Sequence, residues 1–441
     1  MDIVWFKISD LRVRDHEPLY NANQTNKNLI HIFIWDCRWD DKTSNDIQNM
    51  GKIKKKFLKE SLFNLNKNLK DLCIDLNIFF GKSEKILSDL IFKYNVSSIY
   101  TYQNIDKRNM EIDSIIMKNN DINLAYSWGN TLNHICDLPF DINELPNSFN
   151  EFKNKVGKSI RKELFTKGNG KSIKLENSIE LNDIDIPEVE TINIGGEDEI
   201  WKKINNDFYK NKIILNYQDN IFLNDICYYN PWLTFGCISY KSLFFQLKIF
   251  EKRISKNKNT YFYFKNFLLN DYIIFSHLKN NINIQDIDIK SSKNKMSFKK
   301  WVDSNTGIPI IDAIMNEIKL TGKTHNRCKL ITASFLINDL NLDWILGFEY
   351  FNKVLIDISI IENLNIWNYI HNNKIYYNPI KQIQKYDKEC KFIKRWIPKL
   401  ESISINKLHD PKDGIQDYYE PLVKIQFLHP RKFKMAQKCY L

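Results

Sequence analysis

No run of about 18 apolar residues occurs in this chain, so a membrane-spanning helix is not expected. Residues 1–12 carry charges where a signal peptide needs an apolar core, which argues against secretion and for the cytoplasm or nucleus. Cysteine is sparse: eight residues in 441, scattered from Cys37 to Cys439 without a C-x-x-C pair. A disulfide framework is therefore not expected, and no zinc site is legible. The eight histidines form no pair at i, i+4 spacing, so a histidine-based metal centre is not expected either. Also missing are G-x-G-x-x-G, G-x-x-x-x-G-K-[ST], G-x-S-x-G and H-E-x-x-H. These absences exclude the common phosphate-loop, serine-hydrolase and metalloprotease chemistries, and function must be sought elsewhere.

What is present is a chain long enough for roughly two or three domains. Hydrophobic residues make up 43% and charged residues 27%, values close to those of globular proteins. Lys and Arg number 64 against 53 Asp and Glu, leaving +11. That balance favours a polyanion such as nucleic acid, although a generally solvated basic surface accounts for it equally well.

Strand and helix patterns alternate over residues 1–130. Residues 3–6, 30–35, 78–80 and 97–102 read as short buried strands, and 57–76 and 86–94 carry helical spacing. Such alternation predicts a doubly wound parallel α/β sheet. Residues 131–194 are rich in Asn, Asp, Lys and Pro and read as a connector wrapped over the surface. From Gly195 onward the periodicity is helical, with apolar stripes over 240–250, 261–278, 310–320, 330–340 and 348–356. The expected organisation is an α/β domain (1–130), a connector (131–194) and a larger all-α domain (195–441).

The chemically informative stretch is 305–368. It gathers two amides (Asn326, Asn363), a cation (Lys329), an acid (Asp357) and two indoles (Trp344, Trp367). This mix could clasp a polar heteroaromatic ring. Helix caps, a buried ion pair and core tryptophans would explain the same composition.

Read in order, the motifs resemble the photolyase/cryptochrome family, and its DASH-type members most closely. Val4-Trp5-Phe6-Lys7 with Asp10-Leu11-Arg12 and Asp15 is similar to the family's opening W-F-R-x-D-L-R-x-x-D. Leu138-Pro139-Phe140, Leu145-Pro146 and Phe149 to Phe152 resemble the DASH connector, and Gly195-Gly196-Glu197 the entry to the helical domain. Pro231-Trp232-Leu233 with Phe235-Gly236-Cys237-Ile238-Ser239 resembles P-W-L-x-x-G-C-L-S. Residues 306–367 carry T-G-x-P-x-x-D-A, H-N-R, A-S-F-L, D-W and L-I-D in register. Asn378-Pro379, Tyr386-Asp387, Trp396, Pro398 and the Tyr419 to Val423 tail extend the likeness nearly end to end.

The resemblance implies FAD bent into a U within the helical domain, and light-driven electron transfer to a cyclobutane pyrimidine dimer flipped out of DNA, a carbon–carbon lyase reaction. By motif position Asn363 is the amide at flavin N5. Lys329 and Asp357 are the ion pair beside the ring, with Lys replacing the usual Arg. On the same resemblance Asn326 would face the substrate side, and Arg327 would contact a DNA phosphate. Trp367 and Trp344 would be, by the same resemblance, the inner members of an electron-hopping chain. Asn363→Ala is accordingly expected to alter flavin redox behaviour while leaving folding nearly intact. An antenna pigment, single- or double-strand preference and host compartment are not legible; a monomer is expected.

Departures from the family pattern stand out. Its T-S-x-L-S diphosphate segment is here Ile226-Cys227-Tyr228-Tyr229-Asn230, which leaves Asn230 as the remaining donor, with Tyr217 standing for an upstream Tyr. Ser359 replaces a second Asp. The lesion-lining E-x-x-W-R aligns with Asn266, Leu269 and Asn270, and Tyr369 holds a second aromatic position. Leu269 offers no face for base stacking, an interaction worth roughly 1–3 kcal/mol. No Trp lies near Ser291, where the outer hopping indole falls. A degenerate scaffold that binds nucleic acid or protein without repair, and a flavin photoreceptor, are the competing readings.

Overall fold

The computed structural model describes residues 1–156, 160–168, 170–191, 193–216, 228–280, 295–412, 414–425 and 434–435. Two compact units emerge. One comprises Met1–Lys42, Gln48–Tyr217 and Tyr229–Asn283; the other comprises Thr43–Ile47, Gln218–Tyr228 and Ile284–Leu441. Compactness thus groups the helices between Gly196 and Asn283 with the sheet, so its division falls elsewhere than the segments 1–130, 131–194 and 195–441.

The first unit is built on five parallel strands, β1 (Asp2–Phe6), β2 (Leu29–Asp36), β3 (Leu76–Gly81), β4 (Ser98–Tyr102) and β5 (Asn123–Ser127), in the order β3-β2-β1-β4-β5. Strands β1 and β2 are buried at every position, as expected of a parallel sheet covered on both faces. Alternate residues Ile3, Trp5, Ile30, Ile32 and Ile34 pack with Leu87, Leu90 and Ile91 of helix Ser83–Tyr94 and Ile112 and Ile116 of helix Lys107–Asn120. The connector runs along the sheet: Leu29 N–H donates to Lys171 O at 2.9 Å, and Ile179 N–H to Ile78 O at 2.9 Å.

Three motifs that lie far apart in sequence meet within this unit. Glu197 accepts from the Val13 and Arg14 backbone N–H groups at 2.8 and 3.2 Å. The buried Arg12 guanidinium donates to Gly236 O at 3.0 Å and to Asp15 O at 3.0 Å. Gly236 has φ +63°, and a Cβ there would sit 1.9 Å from Ser9 O, so only glycine fits. These motifs hold the fold together. Asp271, on helix Lys258–Asn280, accepts from Leu132 N, Asn133 N and Asn133 Nδ2 at 2.8, 2.9 and 2.8 Å, anchoring the start of the connector.

The second unit is helical around fully buried Trp301 and Trp367. Its helices are Lys295–Val302, Pro309–Thr321, Asn326–Ser334, Trp344–Val354, Ile360–Asn373, Pro379–Tyr386 and Lys391–Trp396, with a short one at Ile405–His409. The stripe expected as one helix over 330–340 switches to a π-turn at Phe335–Asp339. A short strand also returns, Ile375–Tyr376 pairing parallel with Lys434–Met435. The T-G-x-P-x-x-D motif is a fastening: buried Asp312 accepts from Thr306 N (2.8 Å), Thr306 Oγ1 (2.7 Å), Gly307 N (3.1 Å) and the Tyr418 hydroxyl (2.6 Å). Among the described residues no helix is long and apolar enough to cross a membrane.

Candidate cofactor site

Two loops of the helical unit build the site. One, after Thr321, leads into helix Asn326–Ser334; the other, after Val354, leads into helix Ile360–Asn373. Ile356 N–H donates to Gly322 O at 2.8 Å and joins them. The junction places Lys329 Nζ 2.9 Å from Asp357 Oδ2, with both side chains wholly removed from solvent. Lys329 Nζ also lies 3.2 Å from Asn326 Oδ1. Oδ2 of Asp357 further accepts from Thr324 N–H at 3.1 Å and from the Tyr228 hydroxyl. Asp357 Oδ1 is buried and has no partner among the described residues. An isolated buried carboxylate oxygen is costly, so the site suits a ligand that brings an N–H or O–H donor.

Asn363 is fully buried on helix Ile360–Asn373. Its Nδ2 donates to Phe348 O and Asn352 Oδ1, each at 3.0 Å, and its Oδ1 accepts from Trp367 Nε1 at 3.0 Å. Both amide hydrogens are thereby spent, and one carbonyl lone pair is left. Trp367 stacks edge-on against Phe351 at 5.2 Å, and the buried Trp344 lies near Phe348 and His371 at 6.0 and 6.1 Å. Ser359 caps its helix: its hydroxyl accepts from Glu362 N at 3.2 Å while Glu362 accepts from Ser359 N at 2.9 Å, so the side chain is committed locally. Tyr369 is half-buried against the same core.

The start of helix Asn326–Ser334 turns outward. His325 caps it, Nδ1 accepting from Arg327 N–H at 3.1 Å. Burial, with Lys329 and Arg327 nearby, pushes the imidazole down to about 4, so it is neutral at physiological pH. Asn326 is exposed. The Arg327 guanidinium lies over Tyr377 and Tyr386, 5.6 and 5.2 Å from the ring centres.

The remaining expected residues belong to the first unit. Asn230 opens helix Asn230–Thr234 and is half-buried. Asn266, Leu269 and Asn270 share one face of helix Lys258–Asn280. Asn266 is exposed and Leu269 half-buried; Asn270 is buried and donates to Asn130 O at 3.1 Å, bracing the connector. Tyr217, Ile226, Cys227 and the position near Ser291 lie outside the described residues. Sequence reasoning missed Tyr228, Thr324 and Asn352. Tyr228 belongs to the very segment read as stripped of hydroxyls; a search limited to Ser and Thr passed over its phenol. Among the described residues no three His, Cys, Asp or Glu side chains are arranged to hold a metal ion.

A five-stranded parallel α/β unit and a helical unit that buries an ion pair define a two-part α/β-plus-α protein with a ligand-ready carboxylate. Residues 260–434 match the FAD binding domain of DNA photolyase, and residues 2–167 match the DNA photolyase domain. The chain belongs to the photolyase/cryptochrome family. It is similar to Cryptochrome DASH of Synechocystis sp., 27% identical with 93% of this chain and 90% of that relative covered. It is also similar to the chloroplastic/mitochondrial Cryptochrome DASH of Arabidopsis thaliana, 28% identical over 93% and 77% of the two chains. Among solved structures, the Synechocystis cryptochrome superposes with a TM-score of 0.88 at 26% identity, covering 96% of each chain. The Sulfolobus tokodaii archaeal photolyase, solved with two FAD molecules, gives 0.77 at 25% identity, covering 96% of this chain and 97% of that one.

Proposed function

We propose that this chain is a light-dependent DNA repair protein that splits cyclobutane pyrimidine dimers using FAD. The observation that carries the reading is a single nine-residue helix, Asn326–Ser334. Lys329 faces inward to Asp357, whose Oδ1 awaits a donor, while one turn earlier Asn326 is exposed and Arg327 is half-buried. On this reading a cofactor wall and a substrate face would share one rigid element.

Lys329 and Asp357 would hold the flavin edge, with Asp357 Oδ1 accepting from a ring N–H. Asn363 would contribute its remaining carbonyl lone pair, which suits a protonated ring nitrogen. Asn230 would serve the diphosphate. When bound, FAD supplies light-driven donation of one electron. Trp367 and Trp344, both buried indoles, would carry reducing equivalents inward. Arg327 would fix a DNA phosphate without reading sequence, and Asn326 would contact the extruded lesion, with Tyr369 offering an aromatic face.

The test is illumination of the FAD-loaded, reduced protein with dimer-containing oligonucleotide, single- and double-stranded, with intact dimer quantified afterwards. Dimer loss that requires light supports the reading. Dimer unchanged in both substrates removes it.

One observation favours a non-catalytic scaffold instead. Of the three lesion-lining positions, Leu269 has no ring and Asn270 is engaged with Asn130 O. On that reading the protein binds the oligonucleotide and leaves the dimer intact.

A further inference from the structure

Asp357 collects all its described donors on one oxygen. Lys329 Nζ at 2.9 Å, Thr324 N–H at 3.1 Å and the Tyr228 hydroxyl converge on Oδ2, and Oδ1 receives none. The Tyr228 hydroxyl also lies 2.8 Å from Thr324 O and 3.4 Å from Lys329 Nζ, and Lys323 Nζ sits 5.7 Å from its ring centre. A phenol has one proton and here two acceptors in reach. Donating to Asp357, it draws charge from the carboxylate; rotated to Thr324 O, it leaves that charge to Lys329 and the Thr324 N–H alone.

We propose that Tyr228 is a positioning residue for the flavin, acting through Asp357. Three donors on Oδ2 fix the carboxylate plane and with it the direction of the unspent Oδ1. The phenol also sets how much negative charge the pair presents to the ring. The segment that loses its Ser and Thr hydroxyls at the diphosphate thereby gains one at the ion pair. This inference rests on the FAD-dependent reading above.

The experiment loads FAD into the wild type, Tyr228→Phe and Tyr228→Lys, then measures bound FAD per chain and the flavin midpoint potential. Phe offers Asp357 no donor, Tyr a neutral one and Lys a charged one. Less neutralised carboxylate disfavours electron-rich flavin, so the potential should rise in the order Phe, Tyr, Lys. The step from Tyr to Phe should be about tenfold in the reduction equilibrium, or about 30 mV for a two-electron couple. A residue needed only for packing would lower loading or melting temperature without producing this ordering. Equal potentials in the wild type and Tyr228→Phe, or an order other than Phe, Tyr, Lys, overturn the positioning role and leave the FAD reading intact. A wild type that takes up no FAD overturns the proposed function, and this inference falls with it. Should Tyr228→Phe fail to fold, the comparison of wild type with Tyr228→Lys decides: a potential that does not rise overturns the role.

Discussion

The Trp367 ring lies so close to Gly347 that a Cβ on that glycine would fall 2.0 Å from Trp367 Cη2. Helix Trp344–Val354 therefore accepts the indole only because residue 347 has no side chain.

Gly347→Ala is expected to push Trp367 off its hydrogen bond to Asn363 and to cost about 1–3 kcal/mol, the usual penalty of overpacking. Urea denaturation together with tryptophan fluorescence checks this. A stability gain, as alanine's higher helix propensity alone would give, contradicts the contact.

Asn363→Ala is expected to destabilise the fold by roughly 1–3 kcal/mol, because Trp367 Nε1 and Asn352 lose buried partners. This differs from the sequence-based expectation that the substitution leaves folding nearly intact, because the structure gives Asn363 three buried hydrogen bonds. The measurement is the denaturation midpoint of the FAD-free protein; an unchanged midpoint would mean that the three bonds carry no net stability.

Stability should depend on His325. Its folded-state pKa, about 4, lies below the ordinary histidine value, so the folded state binds this proton less tightly than the unfolded chain. The contribution is present above about pH 6.5 and is lost as pH falls toward 4. His325→Asn keeps a capping oxygen without the titration and should flatten melting temperature against pH over that interval. A profile identical to wild type would show that His325 is not responsible.

Arg327→Ala should weaken DNA binding uniformly across sequences and reduce the salt slope by about one. Arg327→Lys should restore the charge but not the seat over Tyr377 and Tyr386. Filter-binding titrations at several salt concentrations give the slope; one that does not change in Arg327→Ala places the DNA elsewhere.

Much of this was readable in the chain. Strands β1 to β4 announced themselves as short buried apolar runs, and the Lys329–Asp357 pair followed from motif register. Strand β5 was missed because only Leu124 and Ser127 of its five residues are buried. Helix Lys107–Asn120 escaped because it buries only Ile112, Asp113 and Ile116, too thin a stripe to read. The helix expected over 57–76 spans Lys52–Lys70 instead: Ile74 and Leu76 keep helical spacing, but a turn through Cys73 (φ 57°) ends the helix before Ile74, and Leu76 opens β3. Tyr228 was out of reach for a different reason. Its hydroxyl meets Thr324, Lys329 and Asp357 only after folding, and no local periodicity encodes a contact across about 130 positions of chain.

The Arg12 guanidinium finds its Gly236 acceptor only when more than half the polypeptide has left the ribosome. Until then this buried cation, in the loop after β1, has only its nearer acceptors, Asp15 O and the Tyr102 hydroxyl, each at 3.0 Å, and one of its bonds stays unmade. A chain truncated near residue 130 loses that one acceptor and should therefore be less stable than the same residues within the full chain.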